Sequence, residues 1–242
     1  MRTPLQMLLS ISILLLTSLT ANASTVLYVQ DPFPGTSCAS SSCDVIGENS
    51  DFDIKDVRLV LGDDNILLAQ IATNFRNTTL TPYMDFGFQL DVGDLFFMVD
   101  DVIRYGVPLA SHGGLIAGDF YNIGPGGLLT AQQALGNPSG VIYRNNEYTW
   151  MNPSGVTNAG SGSLSVQPGM DTTVFISWSG SIPTDLADAL RGMDHVGGVQ
   201  FASATCGNDI IEGSVPEPGT MFGMGGGLIA IGVLLRKKIK KT

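Results

Sequence analysis

An uncharged apolar run from Thr220 to Leu235, closed by the basic cluster Arg236-Lys237-Lys238-Ile239-Lys240-Lys241, fixes the arrangement of everything before it. A helix needs roughly 17–25 apolar residues to cross a hydrocarbon core near 30 Å. The run at 220–235 is therefore a minimal span, workable when the flanking Lys and Arg side chains snorkel to the headgroups. Lys and Arg are retained on the cytoplasmic side, so Arg236, Lys237, Lys238, Lys240 and Lys241 act as a basic stop and the chain ahead of Pro216 lies outside the inner membrane. At the other end, Arg2 precedes a Leu/Ile-rich core from Leu5 to Leu19, followed by Ala21-Asn22-Ala23. That pattern reads as a secretory signal peptide over residues 1–23, exported by the Sec machinery and removed by signal peptidase. Residues 24–214 are left as the ectodomain, enough for one sizeable core.

Directly ahead of the apolar run stands Val215-Pro216-Glu217-Pro218. Proline forbids a regular helix and biases the preceding residue to extended backbone, which leaves the segment available to a peptidase. The order Pro-Glu-Pro, apolar helix and basic tail, over residues 215–242, resembles the PEP-CTERM sorting signal of proteins processed by exosortases. These are membrane enzymes of Gram-negative bacteria that usually also make exopolysaccharide. The resemblance implies an inner-membrane intermediate, a cut near Pro216-Glu217-Pro218 by an exosortase, and delivery to the cell surface or extracellular matrix. The segments Cys43-Asp44-Val45-Ile46-Gly47, Asp51-Phe52-Asp53-Ile54 and Phe201 to Asp209 are also similar to ectodomain segments of exosortase-dependent surface proteins. That implies a non-enzymatic surface β domain, and its location at the surface is what points to an association with exopolysaccharide or biofilm.

Charge is placed unevenly. Between Asp31 and Glu217 lie six basic residues against all 22 acidic ones, a net charge of −16. Such a surface repels phosphate backbones and disfavours nucleic acid as a partner. Most of the acids are Asp, which suits turns and hard-cation sites better than helices. Export also favours pairing among the three cysteines. Cys43–Cys206 would tie the start of the domain to its end, with Cys38 left over; no zinc set or CxxC pair is present.

The body reads as many short strands, an antiparallel β-sandwich or jelly roll. Met84, Phe86, Phe88, Leu90 and Val92 alternate with polar or small residues and predict one nine-residue strand. Leu95 to Val99 should follow it through a tight reversal at Val92-Gly93-Asp94. Val57, Leu59 and Leu61, then Leu67, Ala69, Ile71, Thr73 and Phe75, predict a hairpin around Gly62-Asp63-Asp64-Asn65. Val141 to Tyr143 and Tyr148 to Trp150 suggest another hairpin. Leu164 to Val166, Thr173 to Trp178 and Val199 to Thr205 complete the set, with Asn158 to Ser163 read as a Gly-rich connector. One short helix is expected, capped by Thr184 and ended by Gly192.

Three chemistries are open for the body. If Cys43 and Cys206 join, Asp44 and Asp209 approach one another beside Glu48, Asp51 and Asp53, and this set could hold a structural Ca²⁺ through carboxylate oxygens. Tyr143, Tyr148 and Trp150 could stack on sugar rings, as in a calcium-stabilised carbohydrate-binding module, although aromatic residues at that spacing also fill sandwich cores. A hydrolase would draw on Ser111, His112, His195 and Asp194, but no G-x-S-x-G elbow accompanies them. The expectation is a non-enzymatic protein without catalytic residues.

Overall fold

The computed structural model describes residues 25–31, 37–38, 45–46, 52–75, 83–85, 88–136, 144, 146–169, 173–204 and 207–215. The expected signal peptide at 1–23, the expected span at 220–235 and the basic tail lie outside them; among the described residues no helix is long and apolar enough to cross a membrane. In chain order the strands are β1 (Thr25–Gln30), β2 (Ser37–Cys38), β3 (Val45–Ile46), β4 (Ile54–Leu61), β5 (Ile66–Thr73), β6 (Tyr83–Asp85), β7 (Phe88–Leu90), β8 (Leu95–Val99), β9 (Val102–Val107) and β10 (Asp119–Ile123). They continue with β11 (Leu128–Thr130), β12 (Tyr148–Met151), β13 (Val156–Pro168), β14 (Val174–Ser181), β15 (Gly197–Ala202) and β16 (Ile210–Ser214). Among the described residues they are interrupted by α1 (Ala131–Ala134), a 3-10 turn at Pro153–Gly155 and α2 (Thr184–Leu190).

Ten strands form one antiparallel sheet in the order β1-β4-β5-β14-β13-β10-β9-β8-β15-β16. The mainly β, antiparallel expectation holds. The arrangement is one sheet curled nearly into a barrel, however, not two separate sheets of a sandwich. The curl happens at β13, which pairs with β10 through residues 156–161 and with β14 through residues 162–168. Its ends meet where Gly213 of β16 lies against Val29 of β1, so close that a Cβ at 213 would overlap the valine side chain. Near-closure of this kind protects the sheet edges that an open sheet would expose.

The β4–β5 hairpin follows directly from its sequence. Val57, Leu59 and Leu61 point inward and Arg58 outward, and Leu61 sits opposite Leu67. Asn65 takes the turn's left-handed backbone (φ 60°), and the Gly62 N–H donates to the Ile66 carbonyl at 2.9 Å. Strand β8 breaks the alternation because both of its faces are covered. Leu95, Phe97 and Val99 enter the main core, while Phe96 packs with Leu115, Tyr121 and Met151 beneath the small β11–β12 sheet. A strand covered on both sides reads as a continuous apolar run. Trp178, Phe97, Phe120 and Tyr105 form the aromatic centre, with Trp178 and Phe120 centroids 5.7 Å apart and the indole N–H donating to the Gly118 carbonyl.

Several expected elements differ. The Met84–Val92 alternation is no single strand: β6 and β7 pair antiparallel, Tyr83 opposite Leu90 and Asp85 opposite Phe88. Nor does β7 turn into β8, whose partners are β9 and β15. β12 pairs with β11, and residues 141–143 lie outside the described set. The supposed connector at Asn158 to Ser163 is the middle of β13. Its small residues are required there, since a Cβ at Gly162 would strike the Trp178 indole. Pro183, not Thr184, occupies the N-cap position of helix α2 and makes no side-chain capping bond, and Thr184 is the first helical residue. The additional α1 is one turn long, nucleated by a capping box between Thr130 and Gln133.

Candidate metal centre and the sorting segment

Three strand ends converge where the first described strand meets the last. Asp31 follows β1, and its N–H donates to the Lys55 carbonyl at 3.1 Å. Asp53 precedes β4, and its carbonyl accepts from the Asn74 N–H (2.7 Å) and the Thr73 hydroxyl (3.0 Å). Asp209 precedes β16; its carbonyl accepts from the Ser203 N–H at 3.0 Å, and its Oδ2 accepts from the Ile54 N–H at 2.6 Å. These ladder-end bonds place one carboxylate oxygen of each aspartate within 4.8 Å of the others, with the residues only 7%, 6% and 2% exposed. Oxygens bound to one Ca²⁺ at 2.3–2.6 Å lie at most about 5 Å apart, so the spacing fits a single hard cation. The coulombic argument agrees, since unit negative charges at that separation repel by about 3–4 kcal/mol per pair at an effective dielectric constant near 20.

The structure therefore brings together two of the residues expected from sequence, Asp53 and Asp209, and adds Asp31. Asp44, Glu48 and Asp51 lie outside the described residues, as do Cys43 and Cys206. Asp31 carries a signal that the sequence reading passed over: Val26-Leu27-Tyr28-Val29 is β-forming and ends at Asp31-Pro32, where a ladder must stop.

A second polar cluster surrounds Trp150. Asp94 is fully buried, and both of its carboxylate oxygens lie 3.0 Å from His112 Nε2. Its Oδ2 also accepts from the Met151 N–H at 2.7 Å. Burial pushes the Asp94 carboxyl above its ordinary range, against the opposing pull of His112 and the Met151 N–H. The His112 ring stacks on Trp150 with centroids 4.1 Å apart and planes 4° from parallel. One face of Trp150 is thus taken by His112, and its indole N–H donates to the Val92 carbonyl. Tyr148 is 38% exposed on the same strand; Tyr143 lies outside the described residues.

The other histidine, His195, pairs with Asp100 at 2.7 Å on the surface. Asp94 and Asp100 flank β8, whose five residues separate them by roughly 17–20 Å. Ser111 Oγ accepts from the Ala117 N–H. The residues that a hydrolase would combine are therefore divided between opposite ends of a strand.

The sheet's last strand runs straight into the C-terminal segment. Ser214 lies opposite Gly198, the Val215 N–H donates to the Gly197 carbonyl at 2.8 Å, and the Val215 side chain packs partly buried against the main core. Pro216, Glu217, Pro218 and the basic residues from Arg236 to Lys241 lie outside the described residues. No curated protein and no solved structure matches the chain. The family model for the PEP-CTERM protein-sorting motif matches residues 214–238. The chain thus ends in a PEP-CTERM protein-sorting motif, which implies exosortase-dependent sorting of a surface protein.

Proposed function

We propose that this chain is a non-enzymatic structural protein of the cell surface or extracellular matrix of a Gram-negative bacterium. It is exported through the Sec machinery, trimmed by signal peptidase, held in the inner membrane by residues 220–235, and then cut near Pro216-Glu217-Pro218 by an exosortase. The match at residues 214–238 carries this reading. The placement of the motif supports it: Val215, packed on the core and bonded to Gly197, directly precedes Pro216-Glu217-Pro218 in the sequence. Exopolysaccharide is the partner, in keeping with an acidic body from which phosphate polymers are repelled. Replacing Pro216-Glu217-Pro218 with alanines should trap the full-length protein in the inner-membrane fraction. Normal surface delivery of that variant would contradict the reading.

A calcium-stabilised carbohydrate-binding module is the second reading, favoured by the Asp31–Asp53–Asp209 cluster. Asp31, Asp53 and Asp209 would hold the cation and tie β1, β4 and β16 together. The Cys43–Cys206 bridge belongs to the same proposal; both cysteines lie outside the described residues. A pull-down on exopolysaccharide with Trp150→Ala and Tyr148→Ala separates this module from a purely structural domain.

A further inference from the structure

We infer that Ser203 completes the aspartate cluster as a fourth oxygen donor, and that a cation held there clasps the two ends of the curled sheet, which part when it leaves. The inference deepens the calcium reading above and rests on it. β1 and β16 stand at the two ends of the ten-strand order, and among the described residues no ladder of hydrogen bonds joins them. They meet through side chains, with Gly213 against Val29. The four donors divide between the two sides of that join. Asp31 and Asp53 come from the β1–β4 side, and Asp209 and Ser203 from the β15–β16 hairpin. Across the join the Ile54 N–H already donates to Asp209 Oδ2 at 2.6 Å. A cation bound by all four residues would link strands that backbone pairing leaves apart.

Register aims Ser203 into the cluster. The β15–β16 ladder ends with Ala202 opposite Ile210, and the Ser203 N–H carries it one step further to the Asp209 carbonyl at 3.0 Å. Directly opposite residues of an antiparallel pair project to the same face, with Cβ atoms about 4.5–5.5 Å apart. The Ser203 side chain therefore stands beside the Asp209 carboxylate. It is fully buried, and its Oγ makes no hydrogen bond. Buried hydroxyls are as a rule satisfied, and an Oγ has lone pairs that a cation can take. Three carboxylates and a hydroxyl form an all-oxygen set, whereas Zn²⁺ favours nitrogen and sulfur. Mg²⁺ demands a near-ideal octahedron and sheds its waters reluctantly; Ca²⁺ accepts an irregular oxygen set.

The test is a calorimetric titration of the full-length chain in detergent with CaCl₂, MgCl₂ and ZnCl₂, beside amide hydrogen exchange in EDTA and in CaCl₂. At free Ca²⁺ one hundred times Kd, exchange in β1 and β16 should slow roughly 100-fold, because parting of the ends must release the ion. The small β11–β12 sheet, which can open without disturbing the join, should be unaffected. Ser203→Ala should weaken Ca²⁺ binding at least about tenfold, the loss that removal of even an outer-shell partner brings, and should lose no stability in EDTA. A serine with only a packing role would lower stability equally in both buffers. Wild-type affinity in Ser203→Ala overturns the fourth donor. Exchange in β1 and β16 that is unmoved by calcium, although the titration shows it bound, overturns the clasp and spares the calcium reading. If Ser203→Ala does not fold, the wild-type exchange pattern decides. No calcium binding, or tighter binding of Mg²⁺ or Zn²⁺, defeats the calcium reading itself.

Discussion

Asp31→Asn should change the sign of its effect on stability when calcium is added. Asp31 sits within 4.8 Å of carboxylate oxygens from Asp53 and Asp209, and all three residues are buried. Without a cation, removing one negative charge relieves two repulsions, each of at least about 3–4 kcal/mol between fixed unit charges at an effective dielectric constant near 20. Relaxation of the strand ends and water entry will leave a fraction of that, so a gain of about 1–2 kcal/mol in EDTA is expected. With a cation the sign reverses, because the variant has lost a ligand. At free Ca²⁺ one hundred times the dissociation constant, binding stabilises the wild type by about 2.7 kcal/mol. For a domain of this size that is about 5–10 °C in melting temperature. The assay is a thermal melt of wild type and Asp31→Asn, each in EDTA and in 10 mM CaCl₂, an excess suited to an extracellular site with a constant near 10⁻⁴ M. The wild type should gain several degrees with calcium, and the variant should melt above the wild type in EDTA and below it in calcium. No calcium shift in the wild type, together with a variant that is weaker in both buffers, would refute the cation argument.

Other consequences are simpler to read. Gly162→Ala should cost about 1–3 kcal/mol in a urea titration, because a Cβ there meets the Trp178 indole at the point where the sheet curls. Glu212→Gln should be close to neutral near pH 4 and stabilising near pH 7.5. Burial first, and then the charges of Glu147 and Asp101, raise the Glu212 carboxyl in the fold. For a raised carboxyl the stability is present below the unfolded value and lost as pH rises through the folded one, so the variant avoids that loss; added salt should shrink the difference. Under non-reducing conditions, peptide mapping of the exported protein should recover a Cys43–Cys206 linked pair, and recovery of both as free thiols would remove the proposed clasp.

What could be read beforehand depended on whether local chemistry and burial pointed the same way. In the β4–β5 hairpin they did: one face is buried, Arg58 faces out, and Gly62-Asp63-Asp64-Asn65 supplies the turn. At β6 and β7 the alternation around Phe86-Gly87 could not reveal a reversal, because period two survives in the sequence whether or not the chain turns back. The Asn158–Ser163 part of β13 was hidden for the opposite reason, although Leu164 to Val166 read correctly as strand. Its glycines and serines have poor strand propensity, but small residues are what the Trp178 contact demands, and packing overrides propensity. The Asp53–Asp209 approach was foreseeable from the idea that the two ends of the domain meet. Asp31 was not, because β1 lies just beyond the expected signal cleavage and was not read as a strand. The sorting motif was legible in full because its parts follow one another in sequence and need no tertiary contact.

Intact mass measurement of the protein recovered from the surface fraction of its native host tests the sorting claim most directly. The account predicts an N-terminus at Ser24 and a chain that has lost the span at 220–235 and the basic tail, ending near Pro216-Glu217-Pro218. Recovery from the cytosol of a polypeptide running from Met1 to Thr242 would contradict it.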